Sequence, residues 1–409
     1  MTKKTIKTNI KRVAVPKGFL FKSVSAGIKT GQPGGAARPD IALIVSDRPA
    51  AAAAVFTTNK LKAAPVKVSI KAIKSGVARA VIVNSGNANA CTGPQGLKDA
   101  QNTVAVTAKA LGLSSKEVLV ASTGVIGELL PMDRLISGVL KAALELDSTV
   151  EDVARAIMTT DTYPKTSSRS FRLDGKKVTL TGIAKGSGMI APNMATMLCF
   201  LVTDSAVTTK VLDQILRRSV NLSFNRITVD GDCSTNDTVM ILANGAAGNT
   251  PIKNLRSDEA TRMQKAVNEV TYELSRMVAK DGEGATKLIE VHVKGAKTDA
   301  DAGLAAMAVA NSLLVKTAVY GRDANWGRIV CAAGYSGAAL KEEKINIFFN
   351  RLKVVSNGRP TGKDLEAARE MAGDTLKITL NLGLGHGESR ALTCDLTEKY
   401  IEINADYRT

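Results

Sequence analysis

Histidine and aromatic side chains are scarce in this chain of 409 residues, which holds two histidines and only 4% Phe, Trp and Tyr. Proteins that grip single-stranded nucleic acid stack bases on aromatic rings set among basic residues. Here the basic residues are spread through the chain, so no nucleic-acid partner is expected despite a formal charge of +17. Acidic residues are missing before Asp40, while Lys3, Lys4, Lys7, Lys11 and Arg12 crowd the start. A targeting leader would also need an apolar core. None follows, and a basic tail on a cytoplasmic protein is expected instead. Long apolar runs are absent as well: Ala50 to Val55 falls far short of the roughly 18 residues that a membrane helix requires, so no membrane partner is expected. The five cysteines, Cys91, Cys199, Cys233, Cys331 and Cys394, are odd in number and lack any C-x-x-C pair or neighbouring histidine. That disfavours a disulfide scaffold and a zinc site.

What the chain does have is an ordinary core composition, 44% hydrophobic, and an excess of 55 Lys plus Arg over 38 Asp plus Glu. Excess positive charge raises the local concentration of anions, and carboxylate-bearing substrates suit it. The length predicts two or three packed units. Strand-like and helix-like segments alternate. Ala80 to Val83 and Val118 to Val120 read as short buried strands, and Leu97 to Leu111 and Asp133 to Leu146 as helices. Met263, Val267, Val270, Leu274 and Met277 recur at spacings of three and four, predicting a helix from Ser257 to Lys280 that Gly282 would end. Further strands are expected at Leu288 to Val293, Ile345 to Phe349, Leu376 to Leu380 and Tyr400 to Ile403. Some of these are too closely spaced for helical crossovers, so the predicted class is mixed α/β with part of the sheet antiparallel.

The most informative stretch is Lys185-Gly-Ser-Gly-Met-Ile-Ala-Pro-Asn-Met-Ala-Thr-Met-Leu198. A Gly-rich turn leads to Ala195-Thr196 and then to an apolar run, Met197 to Val202, that reads as a buried strand. Thr196 at its mouth is the candidate nucleophile. Threonine needs a base to remove its proton. His292 lies in an alternating strand-like run and His386 in a Gly-rich loop, so a Ser-His-Asp type arrangement has little support. The other solution is the residue's own α-amine, of pKa near 8, freed by cleavage of the Ala195–Thr196 bond. In Ala121-Ser-Thr-Gly-Val-Ile-Gly127, Gly124 permits close backbone approach and Thr123 offers a hydroxyl; alone they read as an ordinary turn. Val229-Asp-Gly-Asp-Cys-Ser-Thr-Asn-Asp237 is rich in oxygen ligands but lacks the Glu that closes a calcium loop, and reads as a turn near the active site.

From Val13-Ala-Val-Pro-Lys-Gly-Phe19 to Thr409, and most specifically around Ala195-Thr196, the chain resembles the ornithine acetyltransferase family, also called the glutamate N-acetyltransferases of arginine biosynthesis. The resemblance implies a layered α-β-β-α sandwich shared with self-processing aminopeptidases. It implies cleavage at Ala195–Thr196 into an α chain of residues 1–195 and a β chain of residues 196–409, with two of each in the assembly. Thr196 would be the acetyl carrier, and Thr123 and Gly124 the oxyanion hole. Substrate contacts would fall to Thr162, Lys185, Thr196, Glu283, Asn404 and Thr409. Lys185 suits a substrate carboxylate and Glu283 a substrate ammonium group. The implied reaction moves acetyl from N-acetylornithine to glutamate without a cofactor or metal, and it leaves open whether acetyl-CoA also donates. The alternatives are a self-processing aminopeptidase of the same fold and a noncatalytic basic binding protein.

Overall fold

In the computed structural model, the structure describes residues 13–29, 38–191 and 197–406. The first half runs β1 (Phe19–Val24), β2 (Ile41–Phe56), α1 (Ala64–Ala72), β3 (Val77–Asn87), α2 (Gly93–Leu111), β4 (Val118–Val125), α3 (Met132–Leu144), α4 (Val150–Ala156), β5 (Lys165–Leu173) and β6 (Lys176–Lys185). The second half begins with β7 (Leu198–Thr203), α5 (Thr209–Leu222), β8 (Thr238–Ala243), α6 (Asp258–Lys280) and β9 (Leu288–Ala296). It continues through α7 (Asp299–Asn311), α8 (Leu313–Tyr320), α9 (Trp326–Gly334), β10 (Asn346–Phe349), β11 (Leu352–Ser356) and β12 (Arg359–Pro360). It closes with α10 (Asp364–Glu370), β13 (Thr375–Asn381), β14 (Gly387–Cys394) and α11 (Glu398–Asp406).

Among the described residues these strands make two mixed sheets. The larger has eight strands in the order β4-β3-β2-β8-β7-β6-β5, with β1 added on β2. Strands β8 and β7, from the second half, therefore sit between β2 and β6, from the first. Every residue of β7 and β8 is buried, which is why both read as unbroken apolar runs rather than as alternating strands. On β2 the alternation is visible: Ile41, Leu43 and Val45 pack with α2 and α3 residues such as Val104 and Leu135, whereas Ala42 and Ile44 pack with Val153 and Ile157 at α4.

The helix predicted at Ser257 to Lys280 is α6. Ser257 is its N-cap, accepting from the Ala260 N–H at 3.1 Å, and Asp258 and Glu259 occupy the first turn, where the helix dipole favours negative charge. Its Val270 and Leu274 press on Gly182 of β6, where any side chain would meet Leu201 and Leu274 carbons within 2.5 and 2.8 Å. The other flank of α6 reaches the smaller sheet, where Arg276 pairs with Glu290 of β9 at 2.9 Å. That sheet has six strands in the order β12-β11-β10-β13-β9-β14, with β13 parallel and β14 antiparallel to β9. Helices α7, α8 and α9 bury Ala302, Ala306, Val315 and Ile329 against it. No single described helix is long and apolar enough to cross a membrane.

The layered, mixed α/β architecture is the expected one, and the partly antiparallel sheet is observed. One element differs. Tyr400 to Ile403 is not a strand but part of helix α11. Tyr400 and Ile403, three apart, are the partly buried pair, while Ile401 between them is 68% exposed. Four residues of alternation fit either period, and packing at a three-residue spacing decides for the helix.

Candidate active site

A cavity of about 210 Å³ opens where the ends of several elements of the large sheet meet α11. Thr123 and Gly124 come from β4, Lys185 from the end of β6, Glu283 from the turn after α6, and Asn404 from α11; all five line it. Asp230, Asp232, Ser234 and Asn236 add a wall from the loop before β8, so that run is a turn at the site. Of the other residues singled out in the sequence, Ala195, Thr196 and Thr409 lie outside the described residues.

Gly124 is dictated by backbone proximity. Its φ is +133°, and a Cβ there would lie 2.2 Å from the carbonyl carbon of Gly86 and 2.4 Å from the nitrogen of Asn87. The crowding follows from the parallel pairing of β3 with β4, whose register is irregular at Gly86 and Asn87. Asn236 fastens the same region: its side-chain amide donates to the Ala88 carbonyl at 2.7 Å and to the Ser122 carbonyl at 2.8 Å.

Lys185 is buried, at 3% exposure, and its Nζ donates to Thr159 Oγ1 at 2.8 Å and, at a longer 3.4 Å, to Thr123 Oγ1. Burial lowers its pKa from the usual lysine value and nearby Lys165 adds to this, against the carboxylates of Asp161, Glu283 and Asp237. Asp161 lies 3.9 Å away and starts a buried chain of charges. It pairs with Lys165 at 2.7 Å, and Lys165 pairs in turn with Asp281 at 2.5 Å. Burial would push the Asp161 carboxyl up, but Lys185, Lys165 and the Gly186 N–H, at 2.6 Å, together hold it down at about 2.

Thr162 does not line the cavity. It is exposed, and its backbone N–H, at 3.0 Å, and its hydroxyl both donate to Asp281, so it touches the charge chain from outside. Thr159 and Thr160 of the same run face the cavity instead.

Glu283 accepts from Asn404 Nδ2 at 2.9 Å while its own N–H donates to the Ser187 carbonyl at 2.9 Å. Gly188 leaves the room this needs: a Cβ there would be 2.4 Å from the Glu283 carboxyl carbon. Tyr400, one helical turn before Asn404, lines the same wall and reaches Asp230 at 3.4 Å. Asp230 also accepts from the N–H groups of Met189 and Ile190, at 2.6 and 2.8 Å, and so ties the 229–237 loop to the Gly-rich turn. Met189 has a positive φ of 56°, uncommon for a residue with a side chain, at the point where the chain turns into the segment that carries Thr196. His292 lies on β9 and His386 between β13 and β14, and neither lines the cavity.

A family model described as the ArgJ family matches residues 20–409. The chain belongs to the ArgJ family. It is 52% identical over 396 residues to the arginine biosynthesis bifunctional protein ArgJ of Geobacter sulfurreducens, covering 96% of this chain and 99% of that one. Among solved structures it is similar to the arginine biosynthesis bifunctional protein ArgJ of Bacillus halodurans, with 45% identity, a TM-score of 0.48, and coverage of 50% of this chain and 96% of that chain. It is also similar to an ornithine acetyltransferase complexed with ornithine from Mycobacterium tuberculosis, with 40% identity, a TM-score of 0.38, and coverage of 43% and 92% respectively.

In this ArgJ-family chain, sequence reasoning passed over two cavity-lining residues, Asn236 and Tyr400, and two buried charges behind Lys185, Asp161 and Lys165. Asp161 and Lys165 stand within the Thr159-Thr-Asp-Thr-Tyr-Pro-Lys165 run, but nothing in their spacing says that both are buried. Asn236 and Tyr400 were visible only as members of a loop and of a supposed strand.

Proposed function

We propose that this protein is an acetyltransferase that moves acetyl from N2-acetylornithine to glutamate, yielding ornithine and N-acetylglutamate in arginine biosynthesis. The observation that carries the reading is one small cavity in an ArgJ-family chain that presents a buried ammonium, Lys185, and a carboxylate, Glu283, beside Thr123 and Gly124. A cation and an anion lining one cavity match the carboxylate of one amino acid and the ammonium of its side chain or of a second amino acid.

In this reading the Ala195–Thr196 bond is cut by the chain itself, giving an α chain of residues 1–195 and a β chain of residues 196–409. The freed α-amine of Thr196 takes the proton of its own hydroxyl as Oγ1 attacks the acetyl carbonyl. The oxyanion is received by the Thr123 hydroxyl, whose proton is free because Lys185 donates to its oxygen, and by the Gly124 backbone. Collapse returns the proton to the ornithine amine, which leaves, and acetyl stays on Thr196. Glutamate then enters and its amine accepts the acetyl by the reverse path. Lys185 holds the substrate carboxylate in both halves, and Glu283 with Asn404 meets an ammonium group. Thr162 acts on the site through Asp281, and Thr196 and Thr409 complete the substrate contacts. No cofactor or metal takes part; acetyl-CoA can replace N-acetylornithine as donor at the same threonine. The working assembly is two α and two β chains in the cytoplasm.

Incubation with N-acetylornithine alone is expected to add one acetyl mass to the fragment beginning at Thr196, and glutamate is expected to discharge it. A single 43.0 kDa chain that never splits or acetylates would refute the reading. Lys185→Met and Glu283→Gln are expected to cost about 2–5 kcal/mol each in kcat/KM, as loss of one partner of a desolvated charged contact does.

A further inference from the structure

β4 is an edge strand of the large sheet, so the carbonyls on its outer side need partners beyond the ladder. At Val120 the partner is Ser69 of α1, whose hydroxyl donates to the Val120 carbonyl at 2.7 Å and accepts from its N–H at 2.9 Å. Two residues on, where the strand turns the same edge outward, the Ser122 carbonyl accepts from the Asn236 amide at 2.8 Å. The other hydrogen of that amide goes to the Ala88 carbonyl at 2.7 Å, just past the end of β3. Asn236 Oδ1 accepts from the Thr235 hydroxyl at 2.6 Å. The amide is buried, at 4% exposure, and although it lines the cavity it has no proton left to donate to a ligand.

The two carbonyls flank a crowded place. Ser122 leads into Thr123 and Gly124, and Ala88 follows Gly86 and Asn87, whose backbone stands within 2.2 to 2.6 Å of where a Gly124 Cβ would be. A second tie runs alongside: the Ser122 hydroxyl donates to Asn84 Oδ1 at 2.6 Å, and Asn84 Nδ2 donates to the Asn87 carbonyl at 2.8 Å. That tie holds the Ser122 side chain but does not aim its carbonyl. The peptide group is planar, so the direction of the Ser122 carbonyl sets the direction of the Thr123 N–H and the point from which the Thr123 side chain starts. Asn236 grips this carbonyl directly.

We propose that Asn236 is a positioning residue for acetyl transfer: by clamping the Ser122 and Ala88 carbonyls together it holds Thr123 and Gly124 aimed at the oxyanion. The inference rests on the acetyltransferase reading above. An oxyanion forms in the transition state and is absent from the bound substrate, so the clamp should act on kcat and leave KM nearly unchanged. Displacing such a donor by about 1 Å costs about 100-fold in rate. A purely structural asparagine would lower the yield of folded protein without changing how much the Thr123 hydroxyl contributes.

The test is a double-variant cycle on acetyl transfer from N-acetylornithine to glutamate, with rates expressed per folded, cleaved chain. Asn236→Ser, too short to reach both carbonyls, should lower kcat by about 10- to 100-fold and move the KM for N-acetylornithine by less than about threefold. Thr123→Ala should lower kcat by about 100-fold or more. Because Asn236 works through Thr123 and Gly124, its substitution should cost at least about fivefold less in the Thr123→Ala background than in the wild type. Two losses that simply multiply, or a raised KM with kcat intact, would overturn the assignment. If Asn236→Ser does not fold or is not cut, Thr235→Val decides: it keeps the amide, removes the hydroxyl that fixes its orientation, and should lower kcat at least about twofold at unchanged KM. An unmoved kcat overturns the proposal. A wild type that transfers no acetyl at all would instead defeat the acetyltransferase reading, and this inference with it.

Discussion

Asp161 shows how one carboxylate sets the electrostatics of the whole cavity. It stands between two buried ammonium groups, Lys185 at 3.9 Å and Lys165 at 2.7 Å, and neither has bulk water to replace it. Asp161→Asn should therefore destabilise the protein by about 3–5 kcal/mol near neutral pH, the usual cost of stranding a buried ion partner. The acid dependence is a sharper check. With the Asp161 carboxyl held at about 2 in the fold and 3.8 when free, its contribution is present above pH 4 and is lost as pH falls towards 2. The stability difference between wild type and variant should shrink by about 2 kcal/mol across that window in denaturant unfolding. A constant difference would mean that folding leaves the Asp161 carboxyl unshifted, and a difference that grows as pH falls would mean that it is neutral in the fold.

Among the elements, α6 couples the two sheets, and its seat is Gly182. A Cβ at that position would stand 2.8 Å from Leu274 Cδ1 and 2.9 Å from Val270 Cγ1. Gly182→Ala should cost about 1–3 kcal/mol by overpacking, and Leu274→Ala about 2–5 kcal/mol by cavity formation. Combined, each relieves the other, so the double variant should be more stable than the sum predicts, by 0.5 kcal/mol or more in denaturant unfolding. Strict additivity would place α6 elsewhere. This helix was legible in the sequence because Met263, Val267, Val270, Leu274 and Met277 recur at spacings of three and four and Gly282 follows the last turn. Strands β7 and β9 were legible as apolar or alternating runs. Helix α11 was not, since its short stretch carries no period of its own and is fixed by Tyr400 and Ile403 meeting the rest of the fold. The site divided in the same way. Thr123, Gly124, Lys185, Glu283 and Asn404, each singled out by its motif, line one cavity, whereas the Asp161–Lys165–Asp281 chain depends on burial, and burial of a charge leaves no mark in sequence spacing.

At the scale of the molecule, the proposed boundary at residues 195 and 196 falls in the connection between β6 and β7, whose antiparallel ladder runs from Leu180↔Thr203 to Lys185↔Leu198. The ladder between β2 and β8, from Ala51↔Ala243 to Phe56↔Thr238, joins the same two halves again. A cut protein should therefore run as two bands on a denaturing gel but as one species in size exclusion, separating only under denaturant. Fragments that part in plain buffer would contradict the strand order. The interleaving also fixes an order of manufacture. Until β8 and β7 have been synthesised, β2 and β6 face an empty slot two strands wide, and the first half is an open sheet with edges ready to pair with a neighbour. The proposed cleavage would then have to follow folding, in the way that scaffolding comes down after the arch is closed. Two separate genes for residues 1–195 and 196–409 should then yield aggregates, and the pair, once denatured, should not find its way back.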